Sequence, residues 1–163
     1  MSIIHLIDTT VFLNILDVPN RNSRKDELID QYETMILAGH QFIMPIATII
    51  ETGNHIAQNG DGGTRRKTAQ LFIEMLNAAF AGKAPFRINE LPSRTDMQQW
   101  LHEFPDLAGR NSKSDRKQEG TSFGDLSIIK DYQATCRRFA MTEVRIWSLD
   151  SDLMHYHHQP TGF

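Results

Sequence analysis

The sequence predicts an α/β protein of three layers, in which helices cover both faces of a central, mostly parallel sheet of four or five strands. Three observations carry that prediction. Short apolar runs of strand length alternate along the chain with longer stretches in which apolar residues recur at helical spacing. Strands joined through helices lie parallel, because parallel neighbours need a crossover connection. Finally, 163 residues suffice for one buried core and are too few for two comfortable ones, so positions 1–156 are read as a single domain and 157–163 as a C-terminal tail.

The first strand is Ile3 to Ile7, an apolar run around His5 that ends in Asp8-Thr9-Thr10, a helix start; its apolar character puts it at the sheet centre. A polar segment, Val18 to Lys25 with Pro19, leads to a helix carrying Leu28, Tyr32, Met35 and Ile36, closed by Gly39. Phe42 to Pro45 is the second strand, and Ala47 to Glu51 opens a helix that fades by Asn59 to Gly63. Phe72, Met75, Leu76, Ala79 and Phe80 follow the i, i+3, i+4, i+7, i+8 pattern and are expected to be core. Phe86 to Leu91 reads as a third strand, and Pro92-Ser93 leads into a helix with Met97, Trp100, Leu101 and Phe104. Gly109 to Gly120 has no apolar side chain and reads as a flexible loop. A helix from Phe123 to about Phe139 and a strand from Val144 to Leu149, ending at Asp150, complete the alternation.

Composition narrows the function classes. A net charge of -3 argues neither for nor against a nucleic-acid partner, so any basic surface is local. The single cysteine, Cys136, excludes an internal disulfide and a cysteine-based zinc site; it lies on an apolar helical stripe and reads as core filler in a reduced cytoplasm. The N-terminus lacks a signal-peptide pattern, and no apolar segment reaches the roughly 20 residues that span a bilayer, so a cytoplasmic protein without membrane attachment is expected.

In open α/β sheets, ligands bind beyond the carboxyl ends of the strands. Asp8, Glu51 and Asp150 each fall at or just past such an end, while Asp125 sits in the first turn of a helix whose start faces the same edge. Converging carboxylates repel one another unless a cation neutralises them, and oxygen-only ligands favour Mg²⁺ or Mn²⁺. A second reading stands beside this one for each acid. Thr48 to Glu51 and Ser122 to Asp125 have capping-box spacing, and Asp8 and Asp150 suit plain N-caps.

Four motifs in order resemble those of the PIN-domain nucleases, and especially the VapC-like toxins of bacterial toxin–antitoxin pairs. Ile7-Asp8-Thr9-Thr10-Val11-Phe12 resembles the opening motif, with Thr10 where Asn or Ser is usual. Pro45 with Thr48-Ile49-Ile50-Glu51 resembles the second, a proline followed by a glutamate one turn into a helix. Thr121 to Ile129 resembles the third around Asp125, with Gly124 in place of the usual Ala. Ile146 to Leu153 resembles the fourth, with Asp150 as the matching acid, Asp152 in reserve, and Ser148 and Leu153 as departures. The resemblance covers most of the chain and implies a PIN-like fold.

It implies hydrolysis of RNA phosphodiester bonds at a Mg²⁺ or Mn²⁺ site held by Asp8, Glu51, Asp125 and Asp150, with Asp152 as a further metal ligand. Asp8 is expected to be shared between metals, and loss of Asp150 to weaken activity less. Thr10 and Ser122 are expected to hydrogen-bond a ligand carboxylate or a metal water. Arg110, Lys113, Arg116 and Lys117 have two readings, phosphate contacts to RNA or a solvated loop, and Arg65, Arg66 and Lys67 are open in the same way. His155, His157 and His158 read as an exposed tail, and His5 and His55 as packed or solvent-facing imidazoles rather than general bases.

An antitoxin protein over the acidic cleft and a homodimer are expected by resemblance only. The competing classes are a catalytically silent PIN-like module that binds protein or RNA, and a haloacid-dehalogenase phosphatase. The latter needs a second Asp where this chain has Thr10. A nucleoside-triphosphate enzyme would need a Gly-rich loop ending in Lys-Ser/Thr, which Gly60-Asp61-Gly62-Gly63 lacks.

Overall fold

The computed structural model describes residues 2–110 and 119–160. In chain order its elements are β1 (Ile3–Ile7), α1 (Thr9–Ile15), α2 (Lys25–Leu37), β2 (Gln41–Met44), α3 (Ile46–Gln58), α4 (Gly62–Phe80), β3 (Arg87–Ile88), α5 (Arg94–Gly109), α6 (Phe123–Arg138), β4 (Glu143–Trp147), α7 (Ser151–Met154) and β5 (His157–His158). The strands form one sheet in the order β3-β2-β1-β4-β5. β1 pairs in parallel with β2 and β4, and β2 with β3, while β5 runs antiparallel to β4. The chain is therefore α/β with a mostly parallel five-stranded sheet, and β1 is central as its apolar run requires.

Alternation along the strands divides the core into two apolar layers, one on each face of the sheet. Ile7, Phe42 and Met44 pack with Val11, Phe12 and Leu16 of the α1 side, together with Leu28, Ile56 and Leu76. Ile4, Leu6, Ile43, Val144 and Ile146 pack against Ile128 and Tyr132 of α6 and Leu153 of α7. Burying each such side chain contributes about 1.5–3 kcal/mol relative to leaving it exposed. Two filled faces are what a three-layer α/β/α arrangement requires. Cys136 is half-buried beside the second layer, where burial pushes its thiol up from the ordinary value.

Several expectations are corrected. Phe80 is 73% exposed, so the α4 stripe is core only at Leu76 and Ala79 with partial cover at Phe72 and Met75. β3 shrinks to Arg87–Ile88, and α5 buries only Trp100, leaving Leu101 exposed. Thr48 is not a cap: α3 begins earlier, after Pro45, and the Thr48 hydroxyl is buried and donates to the Ile7 carbonyl at 2.8 Å. His157 and His158 are no tail. They form β5, and His157 Nε2 meets Glu143 Oε1 at 2.5 Å. Among the described residues no helix is long and apolar enough to cross a membrane.

Candidate functional site

Register builds the acidic edge. Ile7 pairs with Trp147, so the next residues of the two central strands, Asp8 and Ser148, leave the sheet side by side. Asp8 is only 3% exposed, and its amide donates to the Trp147 carbonyl at 3.0 Å. It occupies the N-cap position of α1, yet its side chain makes no capping bond. Instead Asp8 Oδ2 accepts the hydroxyls of Thr10, at 2.8 Å, and Ser148, at 2.7 Å. Each hydroxyl is fixed in turn from behind, Thr10 Oγ1 by the Leu149 amide at 3.0 Å and Ser148 Oγ by the Asp150 amide at 2.9 Å. A buried carboxylate needs such donors to offset its lost hydration.

Glu51 joins this edge from α3. Thr9 Oγ1 donates to Glu51 Oε2 at 2.8 Å, linking the residue after Asp8 to the second acid. Across from it, α6 contributes Gly124: a Cβ built there would fall 1.9 Å from Glu51 Oε1. The missing side chain is what lets the Glu51 carboxylate reach the first turn of α6, beside Asp125. The structure thus connects Asp8 to Glu51 through Thr9, Glu51 to the Asp125 turn through Gly124, and Asp8 to Asp150 through Ser148.

The remaining expected residues fall into different roles. Asp125 is half-buried in the first turn of α6, its amide donating to Ser122 Oγ at 3.1 Å. Ser122 is therefore a helix cap, while Thr10 does bond a carboxylate, that of Asp8. Asp150 is the N-cap of α7, with Oδ1 accepting the Asp152 amide at 2.9 Å, and Asp152 sits in that helix's first turn. Arg110 is exposed at the C-cap of α5. Lys113, Arg116 and Lys117 lie outside the described residues. Among the described residues, no group of three or more His, Cys, Asp and Glu side chains stands as a ready-made metal site.

Comparison of the chain with family models, with curated proteins and with solved structures finds no match. The reading of the site therefore rests on its own geometry. Its donors are all oxygens, the chemistry that suits a hard divalent cation, and they sit beyond the carboxyl ends of parallel strands. Asp8, Glu51 and Asp125 are the residues that would hold such an ion, with Asp150 acting on Asp8 through Ser148.

Sequence reasoning placed Thr9, Ser148 and Gly124 within the motifs but missed their contributions to the site. Gly124 carried a signal, since a glycine in a helix's first turn invites the question of what approaches it. The hydroxyls carried none, because their partners are 42 and 140 positions away. His5, also near Asp8 in sequence, points elsewhere. It is buried, 2.9 Å from His40 Nδ1, and burial with the neighbouring His40 pushes its pKa down to about 4. A separate cavity of about 300 Å³ includes Trp100, Asn89 and Asp131 in its lining, and none of the four acids borders it. Burial raises the Asp131 carboxyl to about 6.

Proposed function

We propose that this chain is a PIN-like, Mg²⁺- or Mn²⁺-dependent ribonuclease that hydrolyses RNA phosphodiester bonds at the edge formed by Asp8, Glu51, Asp125 and Asp150. The observation that carries the reading is the run of contacts joining these acids, from Ser148 through Asp8 and Thr9 to Glu51 and the Gly124 turn. A structural cap needs one carboxylate at one helix start, whereas here hydrogen bonds and close packing link the acid-bearing segments of four elements. Asp8, Glu51 and Asp125 would hold a divalent ion, whose chemistry would be to acidify a water for attack on phosphorus and to offset the developing negative charge.

The protein's own part is orientation. The Thr10 and Ser148 hydroxyls hold the Asp8 carboxylate in one direction, and Thr9 does the same for Glu51. Such outer partners typically matter ten- to a hundredfold in metal affinity or activity, by about that order. Asp150 steadies Ser148 through its amide, so its side chain contributes less directly than Asp8. The test is cleavage of labelled single-stranded RNA in Mn²⁺, Mg²⁺ or EDTA, with Glu51→Gln beside the wild type. Loss of cleavage in EDTA and in the variant supports the reading.

A second reading has an observation of its own. Asp8, Glu51 and Asp150 already have hydroxyl or amide partners within the chain, which suits a PIN-like module that binds RNA or protein without cutting. Folded protein that binds RNA yet leaves it intact in every metal would favour that module.

A further inference from the structure

The acidic edge continues along α3 to a cationic platform built from three separate segments. Between α1 and α2 the backbone turns on Asp17 and Asn20, whose φ values of 59° and 64° are in the left-handed region, which Asp and Asn enter more readily than other side chains. Asp17 accepts from Asn22 at 2.7 Å and pairs with Lys25 at 3.1 Å, while Asn20 Nδ2 donates to Asn59 Oδ1 at 3.4 Å. Asn59 is itself anchored to the end of α3 through the His55 carbonyl at 2.7 Å. Gly60 has φ +86°, and a Cβ there would meet Thr64 at 3.1 Å and Pro19 at 3.4 Å, so the loop is seated on the α3 to α4 turn.

This seating brings the segment that carries Arg21, directly after Asn20, to the same Gly60 turn that Arg65 contacts. Arg65 donates one nitrogen to the Gly60 carbonyl at 2.6 Å, which orients the guanidinium and leaves its other donors for a ligand. Arg21 is exposed, and among the described residues its side chain has no ion pair. Of the acids nearest in sequence, Asp17 is engaged as above, while Asp61 caps α4 through Thr64 at 2.8 Å and its carboxylate also feels the Arg65 charge. Between platform and acidic edge lies His55, one helical turn beyond Glu51 on the same face of α3. Its Nδ1 is buried without a partner, and burial and the Arg21 charge hold the imidazole below its ordinary pKa.

We infer that Arg21 and Arg65, with His55 between them and Glu51, form a docking surface for backbone phosphates of single-stranded RNA next to the cleaved bond. This rests on the ribonuclease reading and names how that site holds its strand. Phosphates position a strand independently of its sequence, and Arg suits them because its fork of donors matches their oxygens. In a chain of net charge -3, cations gathered at the end of the helix that carries Glu51 point to an anionic strand running past both.

The test is fluorescence anisotropy with a labelled oligouridine strand in EDTA, where nothing is cut. Wild type is compared with an Arg21→Gln/Arg65→Gln double variant and with Arg94→Gln, an exposed control on α5. Circular dichroism verifies folding. The double variant is expected to bind roughly tenfold more weakly, with the slope of log affinity against log salt reduced by about 1.4 for two lost phosphate contacts. The control matches wild type. In Mn²⁺, KM for a long strand rises in the double variant while cleavage of a dinucleotide is unchanged. Equal affinity and salt slope in all three proteins would overturn the docking surface, and would leave the nuclease reading intact if Glu51→Gln still abolishes cutting. Absence of cutting by wild type would sink the nuclease reading, while anisotropy still decides the surface. Binding of polyglutamate as tightly as RNA would make it a protein-docking face and overturn the inference.

Discussion

Ser148 and Asp8 stand 140 positions apart, and the register of β1 on β4 brings them to a 2.7 Å hydrogen bond on a buried carboxylate. Ser148→Ala removes one of two hydroxyl donors from a buried carboxylate and the acceptor of the Asp150 amide. It is expected to destabilise the fold by about 1–3 kcal/mol and to lower metal-dependent cleavage at least roughly tenfold. Urea unfolding and initial rates check the two effects. Thr48→Val offers the contrast, since its hydroxyl serves only the Ile7 carbonyl. A loss of roughly 1 kcal/mol with kcat unchanged is expected there, and an equal loss of kcat would mean that Asp8 is oriented differently from this account.

His5 makes a residue-scale prediction about pH. Its pKa is near 4 in the fold against an unfolded value of about 6.5, so between these values the unfolded chain binds more protons. Stability is therefore complete above about pH 6.5 and falls as the pH drops toward 4, by a few kcal/mol in all. Urea midpoints measured from pH 7.5 to 4 would show this slope in wild type and flatten it in His5→Leu. An unchanged acid limb in the variant would assign the slope to other groups.

At the scale of elements, β5 shows what a short segment hides. A run of His157 and His158 has no apolar period, so nothing local marks it as strand, and its place comes from β4 and the Glu143 contact. Truncation after Tyr156 strips the β4 edge of its partner; a lower melting temperature and more aggregation on heating are expected by melting and light scattering. An unchanged melt would make β5 ornamental. The short apolar run of β1 is legible in the sequence because a central strand is buried on both faces. α4 lies between these cases. Its period revealed an apolar stripe, but Phe80 lies outside the cover of the fold, which period alone does not report.

Across the whole molecule, the site was readable in one respect and hidden in another. The acids stood at strand ends, and a parallel sheet sends those ends to one edge, so Asp8 and Asp150 follow from topology. What orients them depends on Thr9, Ser148 and Gly124, whose roles arise only when β1, β4, α3 and α6 meet. The same meeting makes Ser122 and Asp150 helix caps, and capping there does not exclude the chemistry proposed for this edge.

The most direct measurement is hydrolysis of a labelled single-stranded RNA panel by purified protein in Mn²⁺, Mg²⁺ or EDTA, beside Asp8→Asn. The variant keeps the shape of the buried side chain and removes its charge. The account predicts cleavage that needs the metal and falls by more than about a hundredfold in the variant, with folding retained by circular dichroism. Cleavage that survives EDTA or Asp8→Asn, or folded wild type that neither cuts RNA nor binds Mn²⁺ by calorimetry, would contradict it.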